Sequence, residues 1–199
     1  SVRDISKEFR DDNGFFSQVG FQSINNDLTK KWGRVGIWNE LNTYISTEYK
    51  LDADGNVMSK SISPGISIAG AYDSSFYFNL NPSVKSRVNA DGDLYSLNRI
   101  STGFAVSPGK NIARINGDFT VGDVVDISAN RLGKGGSASV SAKLRPLDRV
   151  EFDSSFATSW INSSEEARSG ERAYTETALQ INSVVHFSGV DSLRIIIQD

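Results

Sequence analysis

The 199-residue chain contains no cysteine, which excludes a disulfide scaffold and any thiolate metal site. Its one histidine, His186, leaves no second imidazole for a Ser-His-Asp triad or a two-histidine metal centre. Basic residues are neither in excess nor in blocks. Against 24 Asp and Glu stand 21 Lys and Arg, a net charge of −3 with no footprint for nucleic acid. No run of eighteen apolar residues offers a membrane helix, and SVRDISKEFR lacks the charged-then-apolar order of a secretory leader. A processed protein or a piece of a longer one is therefore expected. Nowhere do apolar residues recur at i, i+3, i+4 and i+7 for three turns, so helices have little support.

What fills the chain is alternation. From residue 35 to 51 the odd positions include Val35, Ile37, Leu41, Ile45, Tyr49 and Leu51, and the even ones Trp38, Glu40, Asn42, Tyr44, Glu48 and Lys50. That is the period of a half-buried strand. The same pattern predicts ten strands, at 15–23, 35–51, 62–72, 75–89, 94–107, 111–130, 137–144, 150–160, 173–187 and 192–198. Residues 1–12 read as a polar lead-in to a single β domain covering 1–199. Several runs exceed the five or six residues usual in globular strands and reach the nine to eleven that a tilted strand needs to cross a bilayer.

The connections divide by parity. NDLTKK, DS, SPGK, RPLD and SGVD are mostly tight, whereas LDADGN, NADGD, RLGKGG and NSSEEARSGE tend to be longer and acidic or glycine-rich. In an up-and-down meander the two classes lie at opposite ends, the arrangement of short and long loops in outer-membrane barrels. Asp54-Gly55 and Asp91-Gly92 supply the positive-φ residues of tight turns. Pro64 and Pro82 fall inside strands and nearly opposite each other, which predicts a bulge or an unpaired stretch. Asp123 lies on the apolar side with Ile115, Phe119 and Val125; a bulge near Gly122 or a position above the hydrocarbon layer would relieve it.

The polar face is rich in Ser, Asn, Gln, Gly and Tyr, as the interior of a membrane barrel is. Aromatics fall toward strand ends: Tyr72, Phe76 and Phe187 at one, Tyr49 and Trp160 at the other, in the manner of interfacial girdles. The expected fold class is all-β, an antiparallel up-and-down barrel of about ten strands, transmembrane and of outer-membrane type, or part of a larger barrel. A soluble β-sandwich or closed barrel explains the alternation equally well, and the long strands and the loop parity less well.

Two stretches carry a family resemblance. FRDDNGFFSQVGFQS at 9–23 and AYTETALQINSVVHFSGVDSLRIIIQD at 173–199 resemble the C-terminal outer-membrane β-barrel region of Gram-negative, Bacteroidota-type surface proteins that begin with a family-nine-like carbohydrate-binding domain. The resemblance implies an outer-membrane barrel linked to glycan handling through a separate N-terminal domain, and it brings no catalytic set. A complete member would also have a leader, that domain, earlier strands and a last strand ending in an aromatic residue.

Binding or passage is therefore expected rather than covalent chemistry, with no enzyme activity and no cofactor or metal. Trp38, Glu40, Glu48, Lys85, Arg87 and His186 are the candidate lumen or binding residues, since alternation puts each on the polar face. Outer-membrane lipid, and a glycan or another surface protein, are the expected partners, and nucleic acid is not. The alternative is a secreted or periplasmic carbohydrate-binding module using Trp32, Trp38 and Trp160. Other groupings have plainer readings. Glu165-Glu166 is a solvated loop pair, Glu151 and Asp153 belong to lumen electrostatics, the Asp-Gly turns lack the glutamate of a calcium loop, and GKGG at 133–136 has no helix after it to cradle phosphate.

Overall fold

The computed structural model describes residues 1–6, 20–87, 94–126, 131–162, 174–188 and 190–199, with backbone alone at 83, 86, 87, 126 and 131. Eleven strands form one sheet: β1 (Val2–Ile5), β2 (Phe21–Val35), β3 (Trp38–Asp52), β4 (Val57–Ala69), β5 (Ser75–Arg87), β6 (Leu94–Val106), β7 (Ile112–Asp126), β8 (Arg131–Leu147), β9 (Val150–Asn162), β10 (Tyr174–His186) and β11 (Ser192–Gln198). Each pairs antiparallel with its neighbour in sequence, in the order β1 to β11. The all-β meander expected from alternation is the fold. Among the described residues β1 and β11 have one neighbour each, so they are the two edges.

Several boundaries differ from expectation. NDLTKK is not a connection: Asn26 to Lys31 pair with Thr47 to Asn42 inside a single long β2, and the turn is Gly36-Ile37 between Val35 and Trp38. The polar lead-in contains β1, which pairs with Phe21 to Ile24. RLGKGG likewise lies within β8, opposite Val121 to Asp126. Its glycines are there for close approach, because a Cβ at Gly133 would stand 2.5 Å from the Asn162 carbonyl oxygen. The hairpin tip after β4 is Tyr72-Asp73, both at positive φ (58° and 53°), one residue before the expected position. Gly55 does adopt positive φ (84°), while the Asp52 carboxylate accepts the Asp54 and Asn56 N–H groups at 2.9 and 2.8 Å. The strand segment 15–19, the Asp91-Gly92 turn and the loop with Glu165 and Glu166 lie outside the described residues.

The paired prolines act as expected. Between β4 and β5 the ladder runs from Ala69↔Ser75 to Gly65↔Asn79, resumes only at Lys60↔Lys85, and β5 holds one extra residue. The same residue is accommodated against β6 between Asn81↔Arg99 and Val84↔Leu97. Proline has no N–H for a ladder, so the strand bulges in the stretch that holds both.

Register then sorts the side chains. One face carries Leu28, Ile45, Ile66, Phe76, Ile100, Phe119, Val140, Phe156 and Ile195, all exposed. The opposite face carries Ser, Asn, Thr, Gly and Tyr. Among the described residues only Leu97, Ala105 and Ile161 are fully buried apolar side chains. The accessible surface is 13263 Å², where a compact globular chain of 21.7 kDa would expose about 9,200 Å². Among the described residues no second layer covers the sheet, which leaves both of its faces accessible.

Aromatic side chains lock this layer across glycines. Tyr44 on β3 lies over Gly65 on β4 and donates its hydroxyl hydrogen to Asn79 Oδ1 on β5, the three residues being in direct register. Tyr77 on β5 repeats the device over Gly103 on β6, donating to Asp118 Oδ1 on β7 at 2.7 Å. A Cβ at Gly65 would come within 2.6 Å of the Tyr44 ring, so no other residue admits the tyrosine there. On the apolar face Phe104 covers Gly117 and Trp160 covers Gly136 in the same way. We expect Gly103→Val to destabilise the folded chain by about 1–3 kcal/mol through overpacking, and Tyr77→Phe by about 1 kcal/mol through the lost hydrogen bond. Urea midpoints of the refolded chain measure both; wild-type midpoints would remove the joints as a source of stability.

In the turn after β8, Asp148 is 2.5 Å from the ammonium of Lys110 in the connection after β6. The Lys110 hydrogen bond and charge hold the Asp148 carboxyl below the usual carboxylate range. A depressed carboxyl stabilises above its unfolded pKa and loses that contribution as pH falls through the folded value. Carboxyl chemical shifts should therefore titrate Asp148 below 3.8 in the wild type and closer to 3.8 in Lys110→Gln.

Candidate functional site

The polar face is a hydrogen-bonded layer that runs from strand to strand. Beside the two tyrosine joints, Asn81 Nδ2 donates to Ser101 Oγ at 3.5 Å, Thr120 Oγ1 to the same oxygen at 3.1 Å, and Ser141 Oγ to Asn116 Oδ1 at 2.9 Å. Arg145 meets Glu151 at 3.1 Å, and Arg194 donates to Asn182 Oδ1 at 2.9 Å. Short side chains at alternate positions on adjacent strands sit about 5 Å apart, the right spacing for such bridges. On this face the amide oxygen of Asn42 is buried without a donor, so the layer has an acceptor to spare.

The described sequence candidates do not converge. Trp38 opens β3 at the rim with the short turns, its ring 3.0 Å from where a Cβ on Gly70 would stand. Glu40 nearby accepts the Asn42 side-chain N–H at 2.7 Å. His186 lies at the same rim but on β10, seven strands away in sheet order; its backbone N–H donates to the Arg149 carbonyl at 2.8 Å. Glu48 is toward the opposite rim and accepts the Ser59 hydroxyl.

Lys85 is a correction. Alternation counted through Pro82 puts it on the polar face, but the bulge adds a residue and reverses the phase. Beyond it Val84 stands opposite the buried Leu97, while Lys85 aligns with Lys60 and Ser96 on the apolar side. The backbone of Arg87 pairs with Leu94, and its side chain lies outside the described residues.

The three tryptophans form no common platform. Trp32, at the short-turn rim, donates its indole N–H to Thr43 Oγ1 at 3.0 Å with the Lys30 ammonium 3.7 Å above the ring. Trp160 is at the opposite rim on β9, in register with Gly136. A sugar-stacking surface built from all three has no geometric basis.

Asp123, only 3% exposed, is the one charged side chain fully buried among the described residues. Pairing of β6 with β7 ends at Arg99↔Gly122, where Gly122 takes φ 141°. One residue further on, the Asp123 carboxylate replaces the missing ladder partner. It accepts the Asn98 backbone N–H at 2.7 Å and the Asn98 amide at 3.2 Å, and pairs with the Lys134 ammonium from β8. Arg99 Nε donates to the Asp123 carbonyl at 2.8 Å. The β7–β8 register runs through this point unbroken, so the charge on the apolar side is met by Lys134 and Asn98 rather than by a shift between those strands.

Among the described residues no three His, Asp or Glu side chains gather as metal ligands would. The layer can exchange hydrogen bonds with a polar solute. The tyrosine joints and the Asp123 cluster were not among the sequence candidates; Gly122-Asp123 was the local signal of the second, and the first had none.

Comparison of the chain with protein-family models, with curated protein sequences and with solved structures gave no match.

Replacing Asp123 by Ala strips the Asn98 N–H of its acceptor beside buried Leu97, and the unfolding free energy should fall by about 1–3 kcal/mol. Asp123→Asn, which keeps an acceptor oxygen, should lose less. Equal midpoints for all three proteins in urea would show that water replaces the carboxylate without cost.

Proposed function

We propose that this sheet is the wall of an outer-membrane β-barrel whose polar face lines an interior that binds or passes a solute or glycan. One observation carries the reading: the exposed apolar face extends over strands β2 to β10, each 13 to 17 residues long, with a hydrogen-bonded polar layer behind it. Thirteen residues span about 43 Å. Tilted by about 45° that is about 30 Å, the thickness of a bilayer's hydrocarbon core. A contiguous apolar surface of this extent is rare on a soluble monomer.

Supporting features sit at the strand ends. Tyr72, Phe76, Trp32 and Phe187 mark one rim, and Tyr49 and Trp160 the other, consistent with aromatic girdles. The rim with Gly36-Ile37, 70–74, 107–111, 148–149 and 187–191 has the tighter connections, as a periplasmic side does. Lipid tolerates no unpaired strand edge, so in this reading β1 and β11 find partners in the membrane. A link to glycan handling rests on the resemblance of residues 9–23 and 173–199, and the chain's part in it would be to anchor a carbohydrate-binding domain or to admit its ligand.

Refolding of the full chain in detergent is the test. The expected protein partitions with the amphiphile and migrates on a denaturing gel at two positions, before and after boiling; vesicles carrying it that swell in a small sugar would support passage. A chain that stays folded and monomeric in buffer without amphiphile would sink the proposal.

A further inference from the structure

The phase reversal at Pro82 creates a pair of like charges on the apolar face. Ile24, Tyr49, Lys60, Lys85 and Ser96 stand in one row across β2 to β6, near the rim that carries residues 53–56. Two ammonium groups directly opposite on neighbouring strands repel each other. Among the described residues no carboxylate pairs with either lysine. Others near this rim are engaged: Lys134 pairs with Asp123, and the Lys50 ammonium lies 4.0 Å over the Phe21 ring. Glu48 on β3 takes the Ser59 hydroxyl.

Immediately beside the pair is a shallow hollow whose lining includes Ile24, Thr47, Glu48, Tyr49, Lys60 and Ile62. Ile24, Tyr49 and Ile62 are all exposed. Two aligned cations, a phenol and an apolar trough fit an amphiphile with an anionic head and a hydrocarbon tail. Long lysine stems can lie along the apolar surface while their heads reach the level of the headgroups. We propose that Lys60 and Lys85 jointly bind the phosphate of a lipid headgroup, with an acyl chain along Ile24, Tyr49 and Ile62. This rests on the membrane reading above, and it makes the lipid contact at this rim selective rather than generic.

The full chain is to be folded into vesicles of phosphatidylcholine and phosphatidylglycerol in equal amounts, and the lipids retained on the extracted protein counted by native mass spectrometry. With each interfacial lysine worth about fivefold, wild type should retain phosphatidylglycerol in about 25-fold preference. Lys60→Gln with Lys85→Gln should bring the ratio near one, and Lys60→Arg with Lys85→Arg should keep it. Millimolar inorganic phosphate should leave the retained lipid unchanged. The inference is overturned if the glutamine variant keeps the preference, or if inorganic phosphate displaces the lipid and so identifies a site for a free anion. A chain that enters the vesicles but shows no preference removes this inference alone. One that enters no vesicle removes the membrane reading with it.

Discussion

A single sheet satisfies its backbone sideways and must find cover for two faces, and here the chain covers only one. Every strand from β2 to β10 has a hydrogen-bonded neighbour on both sides, so the main-chain groups are largely met within the layer. The side chains are not so evenly served. Small polar groups on one face bridge to one another, while the apolar groups on the other remain exposed. The proposed bilayer is the answer to that asymmetry.

The layer has little conventional core to hold its shape. Leu97 and Ile161 are buried at 1% and 5% exposure, close to where Asp123 caps β6 and the β8 glycines let β9 approach. Elsewhere cohesion comes from the ladders, from the Ser, Thr and Asn bridges, and from rings laid over glycines. The Phe104 and Phe119 rings, stacked at 6.4 Å on the apolar side, show the same economy of contact between neighbouring strands.

Much of the fold was legible because period two needs no tertiary information. Strand β3, strand β9 and the last hairpin emerge from alternation alone, and two prolines at facing positions announced the break in the β4–β5 ladder. Local composition misled where it outweighed pairing. NDLTKK has the residues of a loop yet continues β2, because its partners Asn42 to Thr47 hold it in extended form. RLGKGG was expected as a connection because of its glycines; here their missing Cβ atoms are what the neighbouring backbone requires. The site was less legible than the fold. Lys85 was assigned by counting through a bulge that itself had been anticipated, and the Tyr44–Gly65–Asn79 alignment needs the register of three strands that no single stretch of sequence contains.

The two tyrosine joints also bear on how the sheet bends. A ladder links only adjacent strands and acts as a hinge about the strand axis, whereas a ring anchored two strands away resists rotation of the strand it crosses. Tyr44 ties β3 to β5 over β4, and Tyr77 ties β5 to β7 over β6. With β5 common to both, strands β3 to β7 are braced as one stiff panel, and the curvature any closed wall demands must be taken up disproportionately by the unbraced strands on either side.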